Sequence, residues 1–131
     1  MRFLFDTNVL IERGRNSPDR NVKAWVDSLM AWQVVLCPVV AGEFMIGVCK
    51  LPAGQRAGPV RFLREAVQTF CWVDTDLPAA LHYGQTRAAL PIKGRVNDLW
   101  IASIAKAHNL IVATRNERDF KPFAVKTFNP F

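Results

Sequence analysis

The stretch Met1-Arg-Phe-Leu-Phe-Asp-Thr-Asn-Val-Leu10 decides the fold. Phe3, Leu4 and Phe5 are apolar on successive positions, which suits a strand covered on both faces in the middle of a parallel sheet. Asp6 ends the run, Thr7 and Asn8 follow, and apolar residues resume at Val9. At the carboxyl end of a central strand, Asp6 occupies the place where open α/β sheets bind their ligands. A second reading stands beside the first: Asp6 caps a short helix from Thr7 to about Arg13.

Similar short apolar runs recur at Val34–Pro38, Cys71–Val73, Leu110–Ala113 and Ala124–Phe128. Between them, apolar residues fall at helical spacing over Arg20–Met30, Val39–Cys49, Val60–Phe70, Leu77–Leu90 and from Asn97-Asp98 to His108-Asn109. Leu51–Gly54 opens a loop toward Gly58-Pro59, Pro91–Arg95 reads as a basic loop, and Thr114–Phe120 as a loop with a helical turn. Strands alternating with helices predict an α/β fold: a parallel sheet of four to five strands with helices on both faces, joined by right-handed crossovers. A length of 131 residues without an internal linker predicts one domain over 1–131. Neither a GxGxxG nor a GxxxxGK[ST] phosphate loop is present.

Half of the residues are hydrophobic, enough for a core without disulfides. The formal net charge of +6 favours an anionic partner, either nucleic acid or an acidic protein. Cys37, Cys49 and Cys71 form no CxxC or Cys/His pair, lie in apolar neighbourhoods, and read as buried free thiols of a reducing cytoplasm. No signal-peptide core and no run of membrane-spanning length occurs, so the expectation is a cytoplasmic chain without a membrane partner. His82 and His108 read as ordinary helix residues.

The acids carry the chemistry. Glu43 has Val39, Val40, Ile46 and Gly47 as its helical neighbours, a costly place for a carboxylate unless it meets an arginine or a metal. Asp98 in the first turn of a helix, and Asn116 with Asp119 after a strand, are also ordinary helix-start residues. Yet strand ends and the helix starts that follow them share one edge of a parallel sheet, so these acids can converge with Asp6. Their repulsion then calls for a cation, and hard oxygen donors without His or Cys select Mg²⁺ or Mn²⁺. Such ions support in-line attack of water on a phosphodiester.

Phe5-Asp6-Thr7-Asn8, Glu43 in a helix, Asn97-Asp98 before an Ile-Ala helix, and Thr114-Arg-Asn-Glu-Arg-Asp-Phe120 together resemble the PIN-domain ribonucleases, above all the VapC-type toxins of bacterial toxin–antitoxin pairs. The resemblance runs over the whole chain, including Phe128-Asn-Pro130. It implies a Mg²⁺- or Mn²⁺-dependent endoribonuclease with an RNA substrate, a cognate antitoxin and a homodimer. By the family's pattern Asp6, Glu43 and Asp98 match three acids of the metal site, and Asn116 stands where the fourth, often Asp, is found. Asp119 is then an outer or second-metal contributor. Thr7, Asn8 and Thr114 are candidates for orienting ligands or phosphate oxygens. Arg13, Arg15, Lys93, Arg95, Arg115 and Arg118 are candidates for contacting RNA. Two other readings compete: a non-enzymatic RNA- or protein-binding module with a weakened site, supported by Asn116, and a phosphate-accepting signalling domain, which lacks its lysine after a late strand.

Overall fold

Phe3–Phe5 forms strand β1, and all of its side chains are buried because the strand has neighbours on both sides and cover on both faces. The computed structural model describes all of residues 1–131. β2 (Val34–Leu36) and β4 (Ile111–Ala113) flank β1, pairing Phe3 with Val34 and Phe5 with Ala113. β3 (Cys71–Trp72) and β5 (Thr127–Phe128) complete a parallel sheet in the order β3-β2-β1-β4-β5. The order reverses at β1: β2 and β3 are added on one side of it, β4 and β5 on the other. With right-handed crossovers, the connecting helices of the two halves lie on opposite faces, and a crevice opens between the carboxyl ends of β1 and β4.

Each helix has a local reason to start where it does. α1 (Thr7–Arg13) begins at Asp6, whose carboxylate accepts the Thr7 N–H, so the cap reading of Asp6 and its strand-end position both hold. α2 (Arg20–Ser28) is capped by Asp19 and buries Val22 and Val26, while its Trp25 packs edge-on against Phe3 at 4.9 Å. α3 (Pro38–Cys49) starts on Pro38, whose fixed φ suits the first helical position. Val40, Phe44 and Val48 form its buried stripe. α5 (Leu77–Ala89) is capped by Asp76, which accepts from Ala79 N–H at 3.1 Å. α6 (Val96–Ala107) buries every residue from Ile101 to Ala105, so it is seated in the core with its first turn directed to the crevice. A short α7 (Glu117–Phe120) follows β4.

Several expected boundaries move. α4 runs Ala57–Thr69, taking in Gly58 and Pro59 that read as loop, because a proline is tolerated in the first turn of a helix. The last strand shortens to Thr127–Phe128, since a 3₁₀ turn at Lys121–Phe123 leaves Ala124 at φ 51°, incompatible with an extended ladder. Cys37 is a buried thiol as expected, but Cys49 is exposed at the end of α3 and Cys71 only half-buried, being on the edge strand β3. Gly14, closing α1, is a true close approach: a Cβ there would lie 2.7 Å from the Phe62 ring of α4.

Candidate active site

Asp6 is the centre of the crevice. Its Oδ1 accepts from Thr7 N–H at 2.8 Å, and its Oδ2 accepts from Thr114 Oγ1 at 2.7 Å and Asn8 Nδ2 at 3.1 Å. Thr114 is fully buried at the end of β4 and also accepts from the Asn116 N–H, at 3.0 Å. Asn8 completes the bridge by accepting the Arg115 N–H on its Oδ1 at 3.1 Å. These bonds fix the carboxylate's orientation, yet burial holds its pKa above the usual range, with the charge of Glu43 adding to the effect and the hydrogen bonds opposing it.

Glu43 does not meet an arginine. It is half-buried on α3, and its Oε1 accepts from Thr7 Oγ1 at 2.7 Å. The face it shares is half open, with Ile46 56% exposed, so the carboxylate keeps contact with water. Asp98, half-buried in the first turn of α6, has no hydrogen-bond or ion-pair partner in the chain. Burial pushes its pKa up to about 6, helped by the charges of Asp6, Asp119 and Glu43 and opposed by Arg95. Asp98 on α6 therefore feels the charges of three other acids: Asp6 at the end of β1, Glu43 on α3 and Asp119 on α7. The Cys37 thiol, at the start of α3 behind them, is pushed up to about 11 by burial, with Glu43 and Asp6 adding, and stays protonated.

Asn116 and Asp119 part company. Asn116 is exposed, and its side chain makes no hydrogen bond. Asp119 is half-buried one turn further, and its charge raises Asp98 more than that of Glu43 does. No three His, Cys, Asp or Glu side chains close into a ligand group by themselves. Among the cations, Arg13 is paired with Asp27 at 3.4 Å and Arg15 with Glu12 at 3.3 Å. Lys93, Arg95, Arg115 and Arg118 are exposed and carry no carboxylate partner.

The PIN domain family matches residues 3–126. The chain belongs to the PIN-domain family. Toxin FitB of Neisseria gonorrhoeae is 34% identical to this PIN domain, with 98% of this chain and 97% of FitB covered. VapC ribonuclease Y4jK of Sinorhizobium fredii is 31% identical, with 98% of this chain and 96% of the relative covered. The crystal structure of FitAcB from N. gonorrhoeae superposes with a TM-score of 0.83 at 34% identity, over 98% of this chain and 97% of that one.

Sequence reasoning missed two features of this PIN domain. Glu12 is a buried carboxylate that accepts the Asp19 N–H at 2.7 Å and ties down the loop after α1; its place within an apolar helical run was the available signal. His108, at the end of α6, bonds Asp76 at 2.7 Å across to the start of α5, a pairing no local pattern reveals. Trp100 is half-buried, with its ring stacked on Tyr83 at 3.8 Å.

The raised pKa of Asp98 has a stability consequence. The unfolded chain releases this proton near the ordinary 3.8, and the folded chain near 6. Stability of the metal-free protein therefore falls as pH rises from about 4 to about 6 and is level above that. Asp98→Asn removes the effect, and is expected to stabilise the metal-free chain at pH 7 by about 1–2 kcal/mol after allowance for solvent screening. Thermal melting in EDTA across this range checks it; equal melting shifts at pH 4 and pH 7 would contradict the assignment.

Proposed function

We propose that this chain is a Mg²⁺- or Mn²⁺-dependent endoribonuclease acting as the toxin of a toxin–antitoxin pair. The observation that carries the reading is the set of mutually repelling carboxylates at the crevice, of which Asp98 has no partner in the chain. Their chemistry fits a hard divalent cation: all donors are oxygen, and no lysine or arginine neutralises them by contact. Asp6, Glu43 and Asp98 would hold the ion; the sequence ranks Asn116 as the direct neighbour and Asp119 as the outer contributor, and we reverse that order because Asn116 is exposed whereas the charge of Asp119 acts on Asp98. When bound, the ion would supply Lewis-acid polarisation of a phosphodiester and an acidified water.

The chain's own groups do the positioning. Thr114, Asn8 and the Thr7 N–H keep both oxygens of Asp6 aimed, and the Thr7 hydroxyl does the same for Glu43. Arg115 and Arg118, unpaired at the rim, offer N–H donors to RNA phosphates. Attack by water, not by the ribose 2′-hydroxyl, leaves 5′-phosphate and 3′-hydroxyl ends. RNA cleavage is expected only with added Mg²⁺ or Mn²⁺, and Asp6→Asn or Asp98→Asn is expected to lower it by a factor of about 10² or more. Undiminished activity of a folded Asp98→Asn chain, or activity in excess EDTA, refutes the mechanism. RNA binding without cleavage under every metal condition would instead favour the non-enzymatic module.

The ranking of Asn116 and Asp119 has its own test. Asp119→Ala should weaken Mn²⁺ binding more than Asn116→Ala, while Asn116→Asp should tighten it by adding charge. Calorimetric titration decides; a larger loss in Asn116→Ala reverses the order.

The antitoxin partner and a homodimer belong to the same proposal. A cleft of about 760 Å³ between α1, α3 and α4, with Ile11, Phe44, Val48 and Phe62 among its lining residues, is the candidate seat for an amphipathic antitoxin segment. Expression of the chain alone is expected to arrest bacterial growth, and co-expression with the product of the neighbouring small reading frame to relieve it. Normal growth under confirmed expression of soluble, folded chain counts against the toxin role while leaving the nuclease assay independent.

A further inference from the structure

Arg115 stands directly after Thr114 at the acid edge, its N–H held by Asn8 Oδ1 at 3.1 Å. Its guanidinium has no carboxylate partner, but lies 3.9 Å from the centre of the Phe131 ring. Phe131 is itself fixed. It packs on the hydrophobic core, follows the buried Pro130, and its N–H is donated to Asn129 Oδ1 at 3.0 Å. The other unpaired cations of the rim, Lys93, Arg95 and Arg118, rest on no aromatic face. A guanidinium laid on a ring keeps its in-plane N–H groups free, so stacking and bidentate phosphate binding are compatible. A stacked side chain also has less rotamer freedom to lose when the phosphate arrives.

We propose that Phe131 is a positioning residue for RNA: its ring holds the Arg115 guanidinium at the rim of the acid edge, ready to take a backbone phosphate of the substrate strand. The proposal rests on the nuclease reading, and the two fail separately. The contact is with the phosphate, so it is indifferent to base sequence and sensitive to salt.

The test uses a fluorescein-labelled single-stranded oligoribonucleotide, with anisotropy measured in EDTA so that no cleavage occurs. Phe131→Leu keeps apolar volume and removes the π face. Arg115→Ala is expected to weaken binding about tenfold and to reduce the salt slope by about one. Phe131→Leu is expected to weaken binding about three- to fivefold, to raise KM with Mg²⁺ present while leaving kcat within about twofold, and to be rescued by Phe131→Trp. In the Arg115→Ala background, Phe131→Leu should cost nothing further. A purely structural ring would instead lower the melting temperature and impose the same binding loss in both backgrounds, which overturns the proposal, as does wild-type affinity in Phe131→Leu or failure of Phe131→Trp to rescue. If the wild-type chain neither binds nor cleaves RNA, the nuclease reading itself falls and takes this proposal with it.

Discussion

The hydrogen bond from Thr114 Oγ1 to Asp6 Oδ2, 2.7 Å long and buried, joins the ends of two neighbouring strands that lie 108 residues apart in the chain. It can form only because β1 and β4 are paired in parallel, with Phe5 opposite Ala113, so that the next residue of each strand emerges at the same level. An unmade bond at this depth leaves a desolvated carboxylate and a desolvated hydroxyl, a cost of about 1–3 kcal/mol or more. The Asp6 N–H to Ala113 carbonyl bond at 2.9 Å and the Thr114 N–H to Phe128 carbonyl bond at 2.9 Å extend the same register on both sides. Sheet pairing and site geometry are therefore one constraint, and a slip of one residue would lose both.

Around that point the structure sets burial against charge. Asp6 accepts three hydrogen bonds and its pKa is still raised, because removal from water outweighs them. Asp98 has burial and three carboxylates against it and only Arg95 in its favour. A chain selected for stability alone gains nothing from this arrangement, and strain of this kind concentrates where ligands bind. The core carries the cost: α6 is buried through Ile101–Ala105, and β1 and β2 are buried at every position.

The opposite sign of charge lies at the rim. Arg95, whose charge acts on Asp98, and Arg115, whose N–H bonds Asn8, have no carboxylate partner, whereas Arg13 and Arg15 do. The net charge of +6 alone said only that some anion is a plausible partner.

The order of elements was legible in the sequence because buried strands and helices impose different apolar periods, and those periods survive without any knowledge of the tertiary fold. Glu43 was legible as a candidate because a carboxylate on an apolar helical face is expensive and stands out; Asp6 and Asp98 also read as ordinary helix-start acids, and only their shared sheet edge and the family resemblance singled them out. Boundaries that depend on backbone context were not: Pro59 could join a helix, and Ala124 could leave the ladder, only once their neighbours were placed. Nor could periodicity rank Asn116 against Asp119. Both lie just after β4, and only the path of α7 leaves the first exposed and brings the second within electrostatic reach of Asp98. The same holds for the Thr7–Glu43 and Arg115–Phe131 contacts. Local sequence determines which residues are costly to bury, since that is a property of each side chain and its near neighbours. Which of them share a site is decided by strand order and register, since those bring together residues that the chain itself keeps far apart.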